Sequence, residues 1–197
     1  MIYAPTTELE AVNLMLESTG EPPVNSIEDT EGTEAALAVR ILTESSRRIQ
    51  QEGCSFNTAT LRLLRNQEGE VLLPENTLKV TPMLPRYVER GRKLFDRESG
   101  SFLIGEPVYA DVVLFLGFED LPEAARYYIA VTAARRFASR VLGSTELVSL
   151  TERDEAEARL AFRESELDAN RPMLFTPMDC GMISRSISPR DRGVTCR

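Results

Sequence analysis

The side chains able to do chemistry in this 197-residue sequence are carboxylates, arginines and three cysteines, because it contains no histidine. That removes the usual general base, the proton shuttle and the commonest transition-metal ligand. A Cys or Ser nucleophile would lack its imidazole partner. Paired carboxylates remain: Glu119 and Glu123, with Asp120 between them, suit a glycosidase-type pair. The alternative is that Asp120 and Glu123 cap a helix start, where acids are favoured in any case. The run Glu152-Arg153-Asp154-Glu155-Ala156-Glu157 lacks the glycine and alternation of a calcium loop and reads as a solvated helix face. Gly100 and Gly105 lack the Lys-Ser/Thr of a phosphate loop. Cys54, Cys180 and Cys196 are odd in number and widely spaced, so neither a disulfide framework nor a zinc pattern is suggested. Cys54 has no base near it in sequence and reads as a small buried residue. Tyr127 and Tyr128 read as core or interface aromatics. Arg90-Gly91-Arg92-Lys93 is a basic cluster in an acidic stretch, either a hairpin tip or a contact for phosphate or an acidic surface. No catalytic, metal or cofactor-binding residue is assigned, and no cofactor is expected.

The composition bounds the class. Hydrophobic residues make up 42% and charged residues 27%, enough for a real core. A net charge of −8 leaves no global basic field to draw the chain to nucleic acid or anionic lipid. No apolar run approaches the roughly 20 residues of a membrane span. The start, Met1-Ile2-Tyr3-Ala4-Pro5, lacks the pattern of a secretory signal, so reduced thiols and synthesis in a cytoplasm are expected.

Local signals then place the elements. Thr7 and Glu10 stand in capping-box relation ahead of Leu9, Val12 and Leu16, which predicts a helix over 7–19 stopped by Gly20 and Pro22-Pro23. A second helix over 33–51 buries Ala38, Ile41, Leu42, Ser45 and Ile49, places Arg47 and Arg48 in its last turns and ends at Gly53. Between 54 and 118 the period changes to that of strands. A strand–turn–strand is expected over 61–73 around Asn66-Gln67-Glu68-Gly69, with another strand at 78–81. A hairpin is expected across Arg90-Gly91-Arg92, then a short strand at 102–104 and a buried strand over 108–118. Helices return over 121–142, opened by Pro122-Glu123, carrying Tyr127, Tyr128, Val131, Ala134, Arg135 and Ala138 and closed by Gly143. A last helix over 145–170 has Ser149 and Glu152 as a possible cap and Leu147, Leu150, Ala156, Leu160 and Leu167 as a thin apolar stripe. Residues 171–197 hold five arginines against Asp179 and Asp191, a net +3 that leaves −11 for the rest. With three prolines there and no stripe to bury, they suit an arm that orders on a partner. The expected class is α+β: a four-helix bundle-like body of two helical hairpins, an inserted antiparallel β region and an extended C-terminal arm. Its expected division is 1–53, 54–118, 119–170 and 171–197.

Several strings resemble one family. Glu8-Leu9-Glu10-Ala11-Val12-Asn13, running to Gly20-Glu21-Pro22-Pro23-Val24, resembles the opening of the tail tubular protein A family of T7-like podophages. Ala38-Val39-Arg40-Ile41-Leu42, Arg48-Ile49-Gln50, Leu73-Pro74, Tyr87 to Asp96, Leu121-Pro122-Glu123, Arg126-Tyr127 and Ala134-Arg135-Arg136-Phe137 follow in order, over residues 7–160. The resemblance implies a structural, non-enzymatic virion protein of the tail, made in the host cytoplasm. It implies a ring-forming adaptor, in twelve copies, between the portal protein and the tail nozzle protein, with the tail fibre protein as a further partner. DNA would pass through without specific binding, and no membrane is involved. The C-terminal extension would reach the portal, so Arg171, Phe175, Arg185, Arg190 and Arg192 are expected portal contacts. Arg90, Arg92 and Lys93 are expected ring or nozzle contacts, opposite in sign to the acidic fourth helix. The competing class is a virion-associated hydrolase of polysaccharide or cell wall, acting through Glu119 and Glu123.

Overall fold

The computed structural model describes residues 5–28, 33–142 and 145–169, the side chains of 142–151 excepted. Four α-helices frame an antiparallel β region, an α+β arrangement. Helix α1 spans Glu8–Glu17 and opens on a complete capping box: the Thr7 hydroxyl accepts from the Glu10 amide while the Glu10 carboxylate accepts from the Thr7 amide. Gly20 follows in the left-handed region at φ 83°, where a Cβ would be strained. Helix α2, Glu34–Gln50, is capped by Thr33 and buries Ala38, Ile41, Leu42, Ser45 and Ile49 as its period requires.

Helix α3, Glu123–Leu142, is the hub: α1, α2 and α4 (Thr145–Ala169) all pack on it. Its deepest residues are Ala125, Ile129, Ala133 and Phe137, spaced four apart and nearly inaccessible. Val131, Ala134 and Ala138 are buried too, so three neighbours cover most of its circumference, whereas Tyr127 remains 51% exposed. Alanines let helix backbones approach closely. The core they share includes Val12, Met15, Leu16, Ile41, Leu42 and Phe162.

Among the described side chains, helix α4 does not use the stripe its sequence suggests; the side chains of Leu147 and Leu150 lie outside them. Ala156, Leu160 and Leu167 face solvent, Leu160 at 61% and Leu167 at 68% exposure. The face against the body carries Glu155, Ala158, Phe162 and Glu166, roughly 120° away at 100° per residue. Phe162 decides this, stacking on Tyr128 at 5.5 Å and meeting Phe56 edge-on at 6.5 Å. Ser149 lies inside the helix, which starts at Thr145, and is therefore not its cap. Gly143 and the arm from 171 onward lie outside the described residues.

The β region holds a three-stranded sheet in the order β1 (Thr58–Leu63), β5 (Val108–Leu114), β2 (Thr77–Pro82), antiparallel throughout. The expected pairing of 61–64 with 71–73 reduces to a single bridge, Arg65 with Val71, behind the Asn66–Gly69 turn. The true partner of β1 is β5, forty-five or more positions away, with Leu63 opposite Val108. Residues 70–73 instead form bridges to Leu103 and Lys93. Strand β5 ends at Leu114, short of the expected Phe118, and only alternate residues Val108, Ala110 and Val112 turn inward before Val113. Phe118–Asp120 form a 3-10 turn. A second core gathers Leu63, Val71, Leu73, Tyr87, Leu94, Ile104, Val108, Ala110 and Val112.

Two buried amides join this region to the helices. The Gln50 carboxamide accepts from the Leu116 amide at 2.8 Å and donates to the Leu116 carbonyl at 3.0 Å, as a neighbouring strand would. The Asn57 side chain accepts from the Cys54 amide and donates to the carbonyls of Gln50 and Leu114. Both are nearly inaccessible, and each satisfies backbone groups that have no water to turn to.

Candidate functional site

The expected basic contact is the hairpin of β3 (Tyr87–Arg90) and β4 (Lys93–Asp96). Arg90 pairs with Lys93, leaving Gly91-Arg92 as a two-residue turn with φ of 58° and 64°. Two successive positive φ values match the twist of a tight hairpin, and they cost Arg92 a left-handed backbone. The cluster is already engaged within the chain. Lys93 Nζ donates to Glu70 Oε2 at 2.5 Å, Arg92 lies 3.6 Å from Glu75, and the Arg90 guanidinium sits 3.9 Å above the Phe95 ring. Arg90 and Arg92 remain exposed at the tip and Lys93 is half-buried beside it. The tip therefore presents two guanidiniums, while Lys93 serves its own lobe.

Opposite in sign is the outer face of α4, where Asp154, Glu157 and Glu164 are exposed. The inner face is locked by ion pairs and hydrogen bonds. Arg135 pairs with Glu155 and lies 3.8 Å from Glu152. The Glu166 carboxylate accepts from both the amide and the hydroxyl of Ser55, at 2.7 and 2.9 Å. Packed aromatics and a bidentate carboxylate thus fix α4 to the loop entering the β region.

The carboxylates of the hydrolase alternative are held elsewhere. Both Glu123 oxygens accept from Thr6, its amide at 2.8 Å and its hydroxyl at 2.5 Å. Glu119 accepts from the Glu8 amide at 3.0 Å and from Arg126 at 3.2 Å. Arg126, buried at the start of α3, also donates to the carbonyls of Thr6, Glu119 and Leu121. This node clasps the N-terminal segment to the 118–123 turn, and burial together with the Glu119 charge raises the Glu8 carboxyl above its ordinary value. The sequence contains Arg126 beside Tyr127 but gives no sign that the arginine is the clasp. Cys54 is buried in the helical core; burial and the nearby Glu166 and Glu52 charges push its thiol up to about 12, far from a reactive thiolate. No group of His, Cys, Asp or Glu among the described residues could hold a metal ion. No described helix is long and apolar enough to cross a membrane. Arg171, Phe175, Arg185, Arg190 and Arg192 lie outside the described residues.

The fold is thus four helices clasped to an antiparallel lobe, with surfaces of opposite charge and with Glu119 and Glu123 held in internal hydrogen bonds. Residues 9–172 match the family model described as tail tubular protein. Tail tubular protein A of Klebsiella phage KP34 is 30% identical over 160 residues, covering 80% of this chain and 86% of that protein. The chain belongs to the tail tubular protein family and is a structural component of the bacteriophage virion tail.

Proposed function

We propose that this chain is a ring-forming adaptor that joins the portal to the tail nozzle, lines the DNA exit channel and has no catalytic role. The observation that carries this is the pair of exposed, oppositely charged surfaces on one fold: Arg90 and Arg92 at the hairpin tip, Asp154, Glu157 and Glu164 on α4. A closed ring needs a heterologous interface, one surface meeting a different surface of the next copy, and opposite charge favours that meeting. The net charge of −8 suits a DNA conduit, since attraction to phosphates would act as a brake. The internal bonds of Glu119 and Glu123 support a structural role over a hydrolytic one. Twelve copies, the nozzle and fibre contacts, and portal docking through Arg171, Phe175, Arg185, Arg190 and Arg192 belong to the same proposal.

The test is cryo-electron microscopy of the purified chain mixed with its portal. A ring of this chain capping one end of the portal is expected; a bare portal at saturating chain would overturn the adaptor reading. Charge reversal by Arg90→Glu with Arg92→Glu should reduce ring occupancy. A chain ending at Asn170 should fail to dock, and docking at normal affinity would remove the arm from the proposal.

A further inference from the structure

A second basic feature lies away from the hairpin tip, between α2, α3 and α4. A cleft of about 270 Å³ is lined by Arg48, Arg135, Arg136 and Arg159, against two carboxylates, Glu52 and Glu155. Four guanidiniums converge there in a chain whose net charge is −8. Their commitments differ. Arg135 is taken by Glu155, and one nitrogen of Arg136 is fixed by the buried Ser45 hydroxyl at 3.0 Å. Arg48 and Arg159 are exposed at the rim and have no ion-pair partner among the described residues. The Thr132 hydroxyl, which lines the same cleft, is buried without a hydrogen-bond partner among the described residues.

We propose that this cleft receives a carboxylate side chain from a second copy of this chain. Its volume of about 270 Å³ is enough for one side-chain head. Guanidiniums held by Ser45 and Glu155 are already oriented, and planar forks bind carboxylates bidentately. A second copy suits the site by charge, since this chain exposes carboxylates such as Asp154 and Glu164. The proposal rests on the multi-copy assembly proposed above and adds a specific socket to it.

Arg159→Lys places an amine at the rim that a zero-length carbodiimide can couple to a touching carboxylate. Portal complexes would be assembled from equal parts of ¹⁵N-labelled and unlabelled Arg159→Lys chain, coupled and analysed by mass spectrometry. A mixed-isotope link between Lys at 159 and a carboxylate of another copy is the expected result. The Lys93–Glu70 contact at 2.5 Å serves as an internal control for coupling. If that control link forms while links from position 159 stay within one copy, reach another tail protein or are absent, the proposal is wrong. Arg48→Glu with Arg159→Glu should lower ring yield at least tenfold with an unchanged melting curve, and full yield would equally overturn it. Wild-type mixtures showing no ring would remove the adaptor reading itself, which separates the two failures.

Discussion

Asn57 offers the sharpest test of how the two lobes are joined. Its side chain accepts from the Cys54 amide at 2.8 Å and donates to the carbonyls of Gln50 at 2.9 Å and Leu114 at 3.0 Å. The residue is 3% exposed, so water cannot replace these partners. Asn57→Ala strands the buried Cys54 amide and the Leu114 carbonyl, each costing about 1–3 kcal/mol when unpaired, while the Gln50 carbonyl keeps the Gly53 amide at 3.1 Å. Carbonyls tolerate under-satisfaction better than amides, so a total of about 3 kcal/mol is expected. For a chain of this length that lowers Tm by roughly 6–12 °C. Thermal unfolding followed by circular dichroism, supported by urea titration, measures it. Asn57→Asp sharpens the comparison: it keeps the acceptor for Cys54 but turns the donor into an oxygen facing two carbonyls. It should be at least as damaging as alanine. A loss below about 2 °C in Asn57→Ala, or an Asn57→Asp variant as stable as wild type, would refute the view that this amide fastens the β region to the helices.

Three further outcomes follow from the same interactions. Arg126→Met removes four hydrogen bonds that clasp residues 6 and 119–121; because Glu119 is half-exposed, about 2 kcal/mol of stability is expected to go. Limited proteolysis should then cut near Thr6, and wild-type protection of that segment would contradict the clasp. The Glu8 carboxyl is raised in the fold, by burial first and Glu119 second, so its ionisation opposes folding. Glu8→Gln should therefore raise Tm at pH 7 and lose that advantage below pH 4.5, where the carboxyl is protonated in both states. Cys54 stays a thiol in the fold up to about pH 12, while the unfolded chain ionises near 9.0, so stability should fall as pH rises between those values. Iodoacetamide at pH 8 should leave Cys54 unlabelled until urea is added, and rapid labelling of the native protein would contradict its burial.

Features that depend on neighbours along the chain are legible in the residues alone. The capping box of Thr7 and Glu10, the Thr33 cap and the left-handed Gly20 and Gly53 set helix limits through backbone groups only a few residues away. The tight turn at Gly91-Arg92 is likewise local. Tertiary structure decided which strand meets which and which helix face turns inward. The apolar run at 61–64 says that a strand forms, but it cannot distinguish the nearby 71–73 from the distant β5, whose inward Val108, Ala110 and Val112 complete a shared core. On α4, leucines at 160 and 167 yielded to a single aromatic, because Phe162 finds Tyr128 and Phe56 while Glu155 and Glu166 find Arg135 and Ser55. Gln50, Asn57 and Arg126 carry no local signature, since their partners lie up to 120 positions away. The arginine cleft is of the same kind: Arg48, Arg135, Arg136 and Arg159 come from three helices, and only the packing of those helices on one another brings the four charges together.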